Sequence, residues 1–228
     1  MKVGIILTTD NRSKAYIQKL IKNNIILDEI ILMNSGNHEV KYSKEIIQKS
    51  LESGFDISIS VLRTLKENNL KFHEFNFVDI NNLKLIEYVK KSKINYYLFT
   101  GGGILKKDIL TAGSKFIHFH PGIVPDYRGS TCFYYSIINE NNCGVTSFVM
   151  DQELDTGDII YQKEFVKPNH EYIDEIFDPF IRSETMIEVI QKDLIKKSKF
   201  LKQNKSDGET YFIIHPVLKH ISIMNCIK

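Results

Sequence analysis

Two histidines stand two residues apart in Phe116–Ser130, FIHFHPGIVPDYRGS, at the end of an apolar run that passes at once into a loop punctuated by proline and glycine. Residues two apart on a strand face the same side, so His118 and His120 can reach one site together. Imidazole exchanges protons near neutral pH and also binds metals, so the pair reads as an acid–base site, half of a metal centre, or packing. A metal centre needs a third and usually a fourth ligand, which His170 and His215 supply only if the fold brings them close. The His-x-His of metal-dependent amide hydrolases sits near the start of a barrel of ~250 residues, whereas this pair lies mid-chain, so no metal is expected. A second stretch, Asp151–Asp158, contains Asp-Thr-Gly, as aspartic proteases do. Their chemistry needs two such aspartates sharing a proton, from two lobes or a dimer, and here Asp158 adds an awkward extra carboxylate. A third stretch, Gly101–Gly103, permits close backbone approach to a flat ligand and equally well marks a tight turn.

The elements that must hold these stretches alternate along the chain. Residues 2–7, 29–34, 71–77, 95–101 and 115–120 read as strands, and the segments at 14–24, 43–54, 57–68, 81–92 and 101–110 as helices. Alternation of this kind predicts βαβ units with right-handed crossovers: an α/β, Rossmann-like fold with a mostly parallel twisted sheet and flanking helices. Beyond the proline loop, 132–141 reads as a helix, and 145–151 and 158–165 as strands either side of the Glu153–Gly157 turn. Pro168 marks a boundary between a catalytic domain, 1–167, and a small α+β extension, 168–228, read as a long helix over 171–200, a polar turn and a last apolar run at 209–215. In an open α/β sheet, ligands sit beyond the carboxyl ends of the strands, where all three chemical stretches fall.

Composition narrows the partners. The 228 residues are 43% hydrophobic and 25% charged, with 30 Lys+Arg against 28 Asp+Glu, so the net charge of +2 lacks the basic excess of a dedicated nucleic-acid binder. The three cysteines contain no C-x-x-C pair, which favours a reducing compartment over a disulfide framework. The opening apolar run stops at Thr8, and no stretch approaches the ~20 apolar residues of a membrane span. The expectation is a soluble, cytoplasmic protein with no membrane partner.

HFHPGIVPDYRGS and, further on, GVTSFVMDQELDTGDIIYQ together resemble the two signatures of the folate-dependent formyltransferase family, over about Leu98–Gln162. The resemblance implies a transferase that moves a formyl group from 10-formyltetrahydrofolate to a primary amine. It gives His120 and Asp155 the places of the family's catalytic histidine and aspartate, and puts His118 where the family has asparagine. Pro121, Pro125, Tyr127, Arg128 and Gly129 fit the loop pattern, while Gly122 replaces the usual serine. It further implies that Gly102, Gly103, Ile104, Met150 and Asp151 line the folate's pterin ring, and that Arg12 and Ser13 face the acceptor, while the planar fork of Arg128 suits either a phosphate or carboxylate of the acceptor or a backbone carbonyl that pins the loop. The loop at 8–15 lacks a glycine-rich phosphate cradle, and too few residues follow Pro168 for a large tRNA-binding domain. By elimination and by analogy with the family's sugar-nucleotide branch, the expected acceptor is a nucleotide-linked amino sugar of surface-polysaccharide synthesis, and a homodimer is left open. A catalytically altered folate-binding homologue and a formyltransferase acting on methionyl-tRNA stay as alternatives.

Overall fold

The computed structural model describes every residue except 35, 37–39, 197–198, 205 and 228. The chain forms two compact units, Met1–His118 and Phe119–Lys228.

The first unit runs β1 (Val3–Leu7), α1 (Asn11–Lys22), β2 (Glu29–Met33), α2 (Lys44–Glu52), α3 (Val61–Glu67), β3 (His73–Phe75), α4 (Leu83–Lys91), β4 (Tyr96–Phe99), α5 (Lys107–Leu110) and β5 (Lys115–His120), whose last two residues open the second unit. Its strands lie in the order β3-β2-β1-β4-β5, and every neighbouring pair is parallel. Parallel strands buried on both faces read as continuous apolar runs, and Ile5, Ile6, Leu7, Ile31, Leu32, Leu98 and Ile117 are fully buried. The Asp10 carboxylate accepts the Ser13 N–H at 2.8 Å and caps α1, so the loop after β1 turns into a helix at a defined residue.

The second unit continues with β6 (Tyr127–Gly129), α6 (Cys132–Glu140), β7 (Asn142–Val149), β8 (Ile159–Val166), α7 (Asp178–Gln191), β9 (Glu209–Tyr211) and α8 (Pro216–Ile227). Strands β7 and β8 form an antiparallel pair from Asn142 opposite Val166 to Phe148 opposite Ile159. Strands β6 and β9 pair in parallel, Tyr127 beside Glu209 and Gly129 beside Tyr211, with the Tyr127 and Tyr211 rings stacked at 5.3 Å. All three cysteines are free and buried. Among the described residues no helix is long and apolar enough to cross a membrane.

The α/β reading agrees with this architecture, and the differences have local causes. The helix expected over 101–110 forms only at 107–110, because Gly102 and Gly103 take φ of +125° and +101°, outside any right-handed helix. The single helix expected over 171–200 is a π-helical turn, Ile173–Phe177, then α7, then a 3-10 turn, Leu194–Lys196. Pro179 has no N–H to bond back into the preceding turn, and Asp193 at φ +52° ends the helical path. Helix α8 and strand β6 had no counterpart in the sequence reading. Strand β9, in the segment after Pro168, pairs with the loop that follows the histidines.

Candidate active site

His120 is the fixed point of the second unit: its side chain is 2% exposed and both ring nitrogens have partners. Nε2 lies 2.8 Å from the carbonyl oxygen of Tyr127, and Nδ1 lies 3.4 Å from Oδ2 of Asp155. A carbonyl only accepts, so Nε2 carries the hydrogen, and Nδ1 is where a further proton must be taken or given. Burial pushes the His120 pKa below its ordinary value, with the Arg182 guanidinium acting in the same direction. The Asp155 carboxylate, the Tyr127 carbonyl and Asp178 pull the other way. The result is a neutral imidazole whose Nδ1 faces a carboxylate, an arrangement that accepts a proton and then shares it.

Asp155 is held as firmly as the histidine. It sits at φ +54°, a left-handed conformation, and its Oδ2 accepts the Gly129 N–H at 2.8 Å. Gly157 lets the turn close on β7, since a Cβ there would stand 1.7 Å from the Val149 carbonyl oxygen. The Asp151 carboxylate accepts from the Thr156 hydroxyl at 2.9 and 3.0 Å and from the Glu153 N–H at 3.1 Å, so it shapes the turn from inside. Gln203 closes it from outside: its Nε2 donates to the carbonyls of Asp155 at 3.1 Å and Gly157 at 2.7 Å.

The Oε1 of Gln203 in turn accepts from Arg128 Nε and Nη2 at 3.3 and 2.9 Å, and the guanidinium also donates to the carbonyls of Asp207 and Asn204 at 2.8 and 3.1 Å. Arg128 is 4% exposed and, of the two roles expected for it, takes the pinning one, tying Gln203, Asn204 and Asp207 to the motif loop. Gly122 has a comparable explanation. A Cβ there would lie 2.6 Å from the Tyr127 carbonyl oxygen, 2.8 Å from His120 Nε2 and 2.9 Å from Cys132 Cβ, so the His120–Tyr127 bond occupies the space of a side chain.

In the first unit, the loops after β1 and β4 meet at the point where the strand order reverses. A Cβ on Gly101 would lie 3.2 Å from Asp10 Oδ2 and 3.3 Å from Arg12 Nη2. An open cleft of about 620 Å³ is lined there by Thr8, Thr9, Asp10, Val78, Asp79, Gly102 and Gly103. Gly102 has no room for a side chain, which would stand 2.6 Å from Met33 Cε and 2.9 Å from the Val78 carbonyl oxygen. Ile104 is exposed beside the cleft, its carbonyl accepting from Asn81 at 2.9 Å. Arg12 pairs with Asp10 at 3.2 Å. Ser13 is fully buried, its hydroxyl bonded to the Thr8 N–H at 2.9 Å and the Thr100 hydroxyl at 2.7 Å, so it braces the loop rather than presenting a hydroxyl to a substrate. His118 is half-buried opposite Phe99 on β4, ring centroids 6.2 Å apart, and the alternation of β5 turns it to the same side as His120. Met150 is half-buried at the end of β7. Gln203, Asp178 and Arg182 lay outside every sequence motif, and only the pairing of distant segments reveals them.

Comparison with known proteins gives the following. A family model described as formyl transferase matches residues 5–178. The methionyl-tRNA formyltransferase of Helicobacter pylori is 31% identical over 93 residues, 40% of this chain and 30% of that protein. That of Clostridium beijerinckii is 35% identical over 122 residues, 50% of this chain and 39% of that protein. The chain therefore spans under half the length of these curated relatives. Among solved structures, an N-formyltransferase from Helicobacter canadensis in complex with folinic acid and dTDP-3-aminofucose superposes with a TM-score of 0.64 at 19% identity, covering 100% of this chain and 81% of that one. A 4-N formyltransferase from Francisella tularensis superposes with a TM-score of 0.56 at 21% identity, covering 98% and 87%. At these identities the structural likeness is one of fold.

Proposed function

We propose, from the premise that this chain belongs to the formyl transferase family, that it moves a formyl group from 10-formyltetrahydrofolate to the primary amine of a nucleotide-linked amino sugar. The observation that carries the transfer chemistry is the buried His120–Asp155 pair, with Nε2 of the imidazole fixed by a carbonyl and Nδ1 facing a carboxylate. Bound 10-formyltetrahydrofolate would supply a formyl carbon open to attack by an amine. Gly102 and Gly103 suit a flat ring system because both border the open cleft beyond the strand ends and carry no side chain into it. Gly102, Gly103, Ile104, Met150 and Asp151 are the residues assigned to the pterin.

His120 Nδ1 takes the proton that the attacking nitrogen must lose, and Asp155 stabilises the imidazolium so formed. The Gly129 N–H keeps the Asp155 carboxylate turned toward the ring. His118, on the same side of β5, is assigned to the formyl oxygen as a hydrogen-bond donor. Arg12 is the acceptor-side residue retained from the sequence reading.

The sugar acceptor is supported by the ligands of a solved relative of the same fold, an N-formyltransferase in complex with folinic acid and dTDP-3-aminofucose. Methionyl-tRNA is the second reading, favoured by the names of the sequence relatives. Incubation of the purified protein with 10-formyltetrahydrofolate and either dTDP-linked 3- and 4-amino sugars or methionyl-tRNA separates the two. Formylated sugar nucleotide, lost in His120→Ala and Asp155→Ala, is the expected product. Formylation of the tRNA alone refutes the sugar assignment, and activity surviving both substitutions refutes the catalytic one.

A further inference from the structure

Helix α7 carries a buried ion pair that belongs to neither signature. Arg182 Nε donates to Asp178 Oδ1 at 2.6 Å, one helical turn away, and Nη1 donates to the carbonyl oxygen of Phe119 at 2.7 Å. The two side chains are 8% and 10% exposed. Removing both charges from water is costly, and apolar residues of similar volume often serve a fold equally well, so stability alone is a weak reason for the pair. What the guanidinium grips is more informative. The Phe119 carbonyl and the His120 nitrogen belong to one planar peptide unit, so a bond that fixes the carbonyl also fixes the backbone from which the His120 ring departs.

We propose that Arg182, oriented by Asp178, is the positioning residue for His120: its bond to the Phe119 carbonyl sets where the imidazole stands between Tyr127 and Asp155. The proposal rests on the catalytic reading of His120 given above. The charged and polar groups facing His120 include Asp155 from the 151–157 turn, the Tyr127 carbonyl from β6, and Arg182 and Asp178 from α7, and His118, two residues back on β5, adds a second titratable ring. Cys132 of α6 lies nearby as a neutral thiol. Within this set Arg182 alone is a fixed cation, so it opposes protonation of the ring while holding it in place.

The test compares the parent with Arg182→Lys and with the double variant Asp178→Leu/Arg182→Met, which leaves no unpaired buried charge. Thermal unfolding, kcat and KM for donor and amine, and the ¹⁵N NMR titration of the His120 ring, assigned with His120→Gln, are the readouts. The double variant is expected to fold, with both KM values little changed, kcat lowered about 10²-fold and the His120 titration moved to higher pH. Arg182→Lys, which keeps the charge but lacks the planar fork, is expected to recover only part of kcat and leave the titration near the parent's. A folded double variant with unaltered kcat and unaltered titration overturns the proposal. If the double variant does not fold, Arg182→Lys decides alone: full kcat with the parent's titration overturns the proposal, and lowered kcat at unchanged KM supports it. If the parent transfers no formyl group, the reading of the reaction fails, while an unmoved His120 titration in the double variant still overturns the positioning role.

Discussion

His120 has room for its bond to Tyr127 only because residue 122 has no side chain. Gly122→Ser is therefore expected to push the ring or the Tyr127 carbonyl aside, lowering stability by about 1–3 kcal/mol, as overpacking does. Urea unfolding measures the loss, and formyl transfer should fall with it. The sequence displayed Gly122 only as a departure from a pattern, because nothing local tells that a carbonyl seven positions from His120 fills the place of a hydroxyl. The state of the ring makes a second prediction. Burial lowers the His120 pKa, so the proton-accepting form persists below the ordinary histidine value of ~6.5. kcat/KM is expected to hold through that pH and fall only below it. Asp155 favours the charged ring, so in Asp155→Asn any residual activity should keep its acid limb at still lower pH; a limb that moves upward contradicts the assignment.

At the scale of elements, the segment after Phe200 acts as a brace for the motif loops. Strand β9 lies along β6, and Gln203 ties the Asp155 and Gly157 carbonyls to Arg128. Gln203→Leu is expected to leave these buried partners unsatisfied at a cost of about 1–3 kcal/mol. Faster hydrogen exchange at the Gly129 amide, which bonds to Asp155, reports the loosening. Gly208→Ala should act at the same place, because a Cβ would stand 1.8 Å from the Pro125 carbonyl oxygen at a φ of +78°. Five parallel strands and their helices could be read from periodicity because each carries its pattern within a few residues. Strands β6 and β9 are three residues each and meet only through long-range pairing, so no local pattern announced β6 and the apolar run at 209–215 gave no sign of its partner. Arg128 was legible as a planar fork suited either to an anion or to pinning the loop to a backbone carbonyl, and only the pairing of distant segments identifies the Gln203 amide and the carbonyls that it holds.

Over the whole molecule, two groups set the response to acid in separate windows. His120 is neutral in the fold and titrates near ~6.5 when unfolded. Its contribution is full above that pH and is lost as pH falls toward the lowered folded value, because the unfolded chain then binds the extra proton. Glu188, held down to about 2 by hydrogen bonds from Lys163 and then Lys192, contributes above the ordinary carboxylate range and loses that contribution only as pH falls toward 2. A two-step decline in melting temperature is expected on acidification, the first step flattened in His120→Gln and the second in Glu188→Gln. A first step unchanged in His120→Gln argues against the buried neutral ring.

The three buried cysteines give this architecture a clock. The thiols of Cys132 in α6 and Cys143 in β7 are each raised by burial to about 12, and that of Cys226 in α8 is raised as well, so at neutral pH almost no thiolate is present to react. An alkylating reagent can therefore count only the moments when an element opens. Because the sulfurs sit in three different elements, three alkylation rates on one unmodified chain time separately how often the helix beside His120, the hairpin and the last helix come apart.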